Sequence, residues 1–147
     1  MADPREGILA QLLVIAKGLD GVQGAVRNAA DIPGLARPGF IIHDGSETLL
    51  DTPASERQSR LARMDMAPQV AILVSVGEPQ AGTLLNAFRA RFLRAVITDP
   101  TILSFCAASG NIRYEGCLLE PATADSKERR MELNIVFTYV FRETDLS

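Results

Sequence analysis

The sequence holds no tryptophan, a single histidine, two cysteines and few aromatic residues, 5% of the chain. Each scarcity removes a class of reading. Without tryptophan the core has to be assembled from aliphatic side chains and a handful of phenylalanines. One histidine, His43, leaves little for Ser–His or Cys–His nucleophilic chemistry or for a zinc site. Cys106 and Cys117 are too few for a disulfide scaffold or a metal knuckle, and their apolar neighbours mark them as buried thiols of a reduced compartment. Among the fifteen basic residues only Lys17 and Lys127 are lysines, and the formal charge is -3. That balance lacks the basic excess of a general nucleic-acid binder. The acidic start MADPREG and the interrupted apolar run behind it match neither a signal peptide nor a membrane span, so synthesis in the cytoplasm is expected. No internal repeat and no low-complexity tract occurs.

What remains is an apolar fraction of 47% and a charged fraction of 22% over 147 residues. This is globular composition at the size of one domain, able to bury roughly two-thirds of its unfolded surface. Asp3, Pro4 and Glu6 form an N-cap, a first-turn proline and the acidic third residue of a capping box. The helix they open carries Ile8, Leu12, Ile15 and Leu19 on one face and stops at Gly18 or Gly21. A short strand at 24–28 leads into a Pro- and Gly-rich loop, 29–39. Phe40–His43 is a strand that ends at the turn dipeptide Asp44-Gly45, followed by a polar loop from Ser46 to Arg60. Val70–Val76 is a β-branched strand. A second helix from Gln80 to Ile97 presents Leu85, Phe88, Phe92 and Val96 on one side, with Arg91 and Arg94 away from it. A short helix or turn at 100–106, a strand at 112–119, a charged turn at 121–130 and a strand at 131–141 complete the chain. Met131, Leu133, Ile135, Phe137, Tyr139 and Phe141 alternate with polar residues, Val136 and Val140. The expected architecture is a single α+β domain over 1–147: a mixed or antiparallel sheet of about four to five strands with two main helices on one face and the other left open.

The sequence offers little catalytic material. Asp44 stands beside His43, but there is no G-x-S-x-G elbow, and a histidine at a strand end reads as a surface or interface residue. Asp44, Glu47 and Asp51 sketch a nuclease-type divalent site that lacks a nearby lysine. Phosphate-binding glycine motifs are missing, and Arg89, Arg91 and Arg94 spread around their helix without forming a stripe that would track a nucleic-acid backbone. The reading is therefore a non-enzyme without cofactor or metal, with a small hydrolase or nuclease as a lesser alternative.

One order of segments is distinctive: Val26-Arg27-Asn28, then R-P-G-F-I-I-H-D-G from Arg37, D-P-T-I-L from Asp99, G-N-I-R-Y-E-G from Gly110, and M-E-L-N-I-V-F-T-Y-V-F from Met131. Across nearly the whole chain this layout resembles the tail-terminator, or minor tail protein U type, family of long-tailed bacteriophages and phage-like particles. The resemblance implies a virion structural protein, made in the host cytoplasm, that assembles as a homohexameric ring on the tail-tube protein. Such a ring stops tail polymerisation and presents a surface to the head–tail connector or stopper protein. It binds no membrane and no specific nucleic acid, and DNA would pass through it. Contacts with other subunits are then expected from the loop residues Asp44, Glu47, Asp51, Arg57 and Arg60, from Arg91 and Arg94, and from Val136 and Val140 on the open face of the last strand. Another phage neck protein, a head-completion or connector subunit, shares this size and character.

Overall fold

The computed structural model describes residues 3–50, 61–75, 80–106, 111–121 and 128–142. Helix α1, Pro4–Gly18, begins as expected: the Asp3 carboxylate accepts the Arg5 amide at 3.0 Å, and Pro4 occupies the first turn. The reciprocal half of the capping box is not made, because the Glu6 carboxylate turns to Arg27 instead. The buried stripe is Ile8, Leu9, Leu12 and Ala16, rotated from the expected one. Leu19 falls beyond the last turn as the C-cap, and Ile15 is only half-buried.

Helix α2, Ala81–Thr98, buries Leu85, Phe88, Phe92 and Val96 as their spacing requires. Phe40 meets the Phe88 ring edge-on at 6.2 Å and the Phe92 ring at 5.1 Å, an aromatic cluster in a core that also buries Phe137 and Tyr139. The short helix α3, Pro100–Phe105, is capped by the Asp99 side chain on the Ile102 amide at 2.9 Å. Its Phe105 ring packs directly over Gly7 of α1, where a Cβ would lie 2.4 Å from the ring and force it to shift.

Among the described residues five strands form one mixed sheet in the order β1-β2-β3-β5-β4. They are β1 Gly24–Arg27, β2 Gly39–Leu49, β3 Leu61–Ser75, β4 Ile112–Leu119 and β5 Glu128–Arg142. β1 runs parallel to β2 and every other pair is antiparallel. Several strands outrun the sequence reading. β2 does not end at Asp44-Gly45. Those two residues form a bulge opposite Pro68, Gly45 takes φ +68°, and the strand goes on to Leu49. β3 starts at Leu61, nine residues ahead of the β-branched run, and β5 absorbs Glu128–Arg130 from the presumed turn. Most of the presumed 46–60 loop, residues 51–60, lies outside the described residues.

The helices cover one face, where Met131, Leu133, Ile135, Phe137 and Tyr139 of β5 are buried in alternation. The opposite face is not simply open. The 29–38 segment, with a 3-10 turn at Pro33–Leu35, folds over Ile41, Ala71 and Leu73 and closes a second small apolar cluster with Ile32 and Ala36. Arg37 secures that flap, donating to Asp31 at 2.9 Å and through Nε to Glu128 at 2.9 Å. Cys106 is half-buried, and burial pushes its thiol up to about 11. Cys117 is exposed, contrary to expectation, because β4 is an edge strand.

Two substitutions test this packing. Phe92→Ala removes the ring shared by β2 and α2 and is expected to cost about 3–5 kcal/mol in urea unfolding. Gly45→Ala, whose Cβ would stand 2.0 Å from the Ala67 carbonyl oxygen at a left-handed φ, is expected to lose about 1–3 kcal/mol or more. A Gly45→Ala protein as stable as the parent would contradict the bulge.

Candidate interaction surfaces

Asp44, the first contact candidate, is spent inside the subunit. Left-handed Asn28, φ 54°, ends β1, and its side-chain oxygen accepts the Asp44 amide at 2.9 Å, which fixes the bulge beside β1. Arg27 then forks. Its Nε and Nη2 grip the two Asp44 oxygens at 2.7 and 2.9 Å, and Nη1 and Nη2 grip Glu6 on α1 at 2.7 and 2.9 Å. One guanidinium thus ties the helix to the bulge in two bidentate pairs. These bonds hold the Glu6 and Asp44 carboxyls below their usual range. Both oxygens of Asp44 being occupied, it does not orient His43. That residue is half-buried on the face opposite the helices, in register with Gln69, which in turn faces Asn134.

On the same face, Arg113 of β4 donates to Asp65 of β3 at 2.8 Å and to the Thr138 hydroxyl of β5 at 3.2 Å, while Thr138 donates to Asp65 at 2.6 Å. Since β5 lies between β4 and β3, the arginine side chain must cross it, over Val136, its partner in register. This corrects the expectation for Val136. It does face away from the helices, but it is only 6% exposed, whereas Val140, further along, is half-buried. Burial pushes the Asp65 carboxyl up, and the bonds from Arg113 and Thr138 outweigh it and hold the group low.

The remaining candidates scatter. Glu47 accepts a hydrogen bond from the Tyr139 hydroxyl. Arg91 lies over the Phe88 ring at 4.5 Å and donates to the Asp20 carbonyl at 2.9 Å, a clamp between α2 and the end of α1. Arg94 is exposed and makes no side-chain hydrogen bond or ion pair among the described residues. Asp51, Arg57 and Arg60 lie outside the described residues, so the proposed Asp44–Glu47–Asp51 grouping is not seen as a whole. Among the described residues no group of three or more His, Cys, Asp or Glu side chains is placed to hold a metal ion.

Two features went unread in the sequence. β2 passes from burial at Gly39–Ile42 to exposure at Gly45–Leu49 past the bulge, while Met66 of β3 and Phe137 and Tyr139 of β5 stay buried at the same level. Leu49, on the helix-side face of this exposed end of β2, is 63% exposed. The second is the edge of β4, unpaired among the described residues, where Tyr114, Cys117, Leu118 and Leu119 are all exposed and Leu118 reaches 60%. The apolar triplet Cys117-Leu118-Leu119 does not alternate and so reads in the sequence as a buried run; its exposure comes from the strand's place at the edge of the sheet. No helix among the described residues is long and apolar enough to cross a membrane. No protein-family model and no curated protein sequence matches the chain.

The Arg27 fork carries a pH signature. Its carboxylates have folded pKa values below their ordinary 4.5 (Glu6) and 3.8 (Asp44), so the stability they add is complete above those values and is lost as pH falls through the lower folded ones. Unfolding free energy is expected to decline with acidification below about pH 4.5. In Arg27→Ala that part of the decline should be absent, as measured by denaturant titration at a series of pH values.

Proposed function

We propose that this chain is a structural assembly subunit of the tail-terminator type, closing the tail tube as a homohexameric ring and offering a surface to the head–tail connector or stopper. The observation that carries the reading is the exposed end of β2. There Leu49 stands 63% exposed on the helix-side face, an apolar side chain that a neighbouring subunit can cover. The segment order in the sequence supports the same conclusion. The ion pairs agree with a structural role, because Arg27 with Glu6 and Asp44, Arg37 with Asp31 and Glu128, and Arg113 with Asp65 spend their charges within the subunit. In this reading the protein works in the virion neck after assembly in the host cytoplasm and uses no cofactor and no active site. Contacts with the tube come from the exposed end of β2.

The test adds the purified chain to polymerising tail-tube protein and images the product by negative-stain electron microscopy. Tubes are expected to stop growing and to end in a ring of six copies, and Leu49→Asp should reduce capping by at least tenfold while leaving the circular-dichroism spectrum unchanged. Tubes that lengthen at the same rate, with no chain sedimenting on them, would sink the proposal.

A further inference from the structure

The edge of β4 carries a pattern that specifies its occupant. Antiparallel strands send the backbone groups of alternate residues inward to the partner and outward to the other side. Two bonds set the phase here: Thr138 donates to the Asn111 carbonyl at 2.7 Å, and the Glu120 amide donates to the Arg130 carbonyl at 3.0 Å. Both are register pairs with β5, so Asn111 and Arg113 point inward at one end and Leu118 and Glu120 at the other. The residues between them point outward: Ile112 and Tyr114 before the bulge at Glu115-Gly116, Cys117 and Leu119 after it. The bulge shifts the phase by one residue, which makes the outward spacing two, three, two. That series reads the same in both directions.

A second copy laid antiparallel on this edge therefore matches it at every outward position. Ile112 faces Leu119 of the second copy, Tyr114 faces Cys117 of the second copy, and the reciprocal pairs follow. The two bulges meet at the twofold axis. A shift of two residues in either direction sets a bulge against regular strand, and a shift of one turns the apolar side chains to the wrong face. In the matched register all four outward residues of each copy lie on the helix side, continuous with Ile135, Leu133 and Met131 of β5. No like charges are opposed, since Arg113 comes opposite Leu118 of the second copy and Glu115 opposite its Gly116. The sheet's other edge among the described residues, β1, is four residues long and cannot span these positions. Pro121 ends the ladder just beyond Glu120.

We propose that β4 is a self-association edge, joining two copies of this chain about a twofold axis into one continuous sheet. Such a contact closes on itself and adds no further copies, so it is distinct from any contact that propagates a ring. It does not rest on the tail-terminator reading.

Leu119→Pro tests it, because proline deletes an outward N–H that the subunit's own sheet does not use, a placement edge strands tolerate. The mass by light scattering, without tube protein, is expected to halve while the melting temperature stays within a few degrees. As a second measurement, Ile112→Cys with Leu119→Cys in a Cys117→Ser background should form disulfide-linked dimers under mild oxidation. Ile112→Cys with Leu118→Cys, on opposite faces, should form at least tenfold fewer. A mass unchanged by Leu119→Pro, equal crosslinking of the two pairs, or crosslinking to tail-tube protein alone would overturn the proposal. Tube capping that survives Leu119→Pro would leave the ring reading intact, so the two ideas fail separately.

Discussion

The pairing of β3 with β5 sets the frame for everything else. These two strands keep one register from Leu61 opposite Arg142 to Ser75 opposite Glu128, interrupted at Ala67 and Pro68 but not shifted, whereas each of their outer neighbours bulges once. The two bulges fall at nearly the same level, Asp44-Gly45 in β2 opposite Pro68 and Glu115-Gly116 in β4 beside Asn134. Pro68, which has no N–H to contribute, lies at that level and has no register partner on either side. A straight central ladder with kinked flanks lets the outer strands bend independently. On one flank the kink positions Asp44 for Arg27. On the other it shifts the phase of an exposed edge.

Charge in this molecule is used to close it up. Arg27 joins α1 to the β2 bulge, Arg37 pins the 29–38 flap to the start of β5, Arg113 crosses β5 to reach β3, and Arg91 clamps α2 to the end of α1. Each of these tasks asks for several directed bonds or a planar stack, which a guanidinium supplies and an ammonium does not. The scarcity of lysine thus matches the structural work done by arginine. Among the described residues the most exposed large apolar side chains are Leu49 at the end of β2, Leu118 on the β4 edge and Val14 of α1.

Several residues chosen as contact candidates for their charge are engaged within the subunit. Asp44, Glu47 and Arg91 stood out in the sequence as exposed polar residues, yet each finds its partner within the subunit, forty or more residues away in two of the three cases. Val136 was chosen from the alternation of β5, and the alternation is correct. A neighbouring strand's arginine covers it, and no pattern within β5 could report that.

Local periodicity was sufficient for whatever depends on one element alone. The Asp3 cap, the Leu85–Val96 stripe, the buried row from Met131 to Tyr139 and the α+β class follow from spacing that helix and strand geometry impose on a contiguous segment. Tertiary structure alone decided what depends on two segments meeting. Pro68 and the charged residues around it hid the first half of β3, which is a strand only because β2 and β5 flank it. Asp44-Gly45 is a turn dipeptide by local preference and became a bulge because pairing with β3 continues on either side of it. The outward phase of β4 likewise comes from its register with β5, and register is a relation between strands that neither strand's sequence contains.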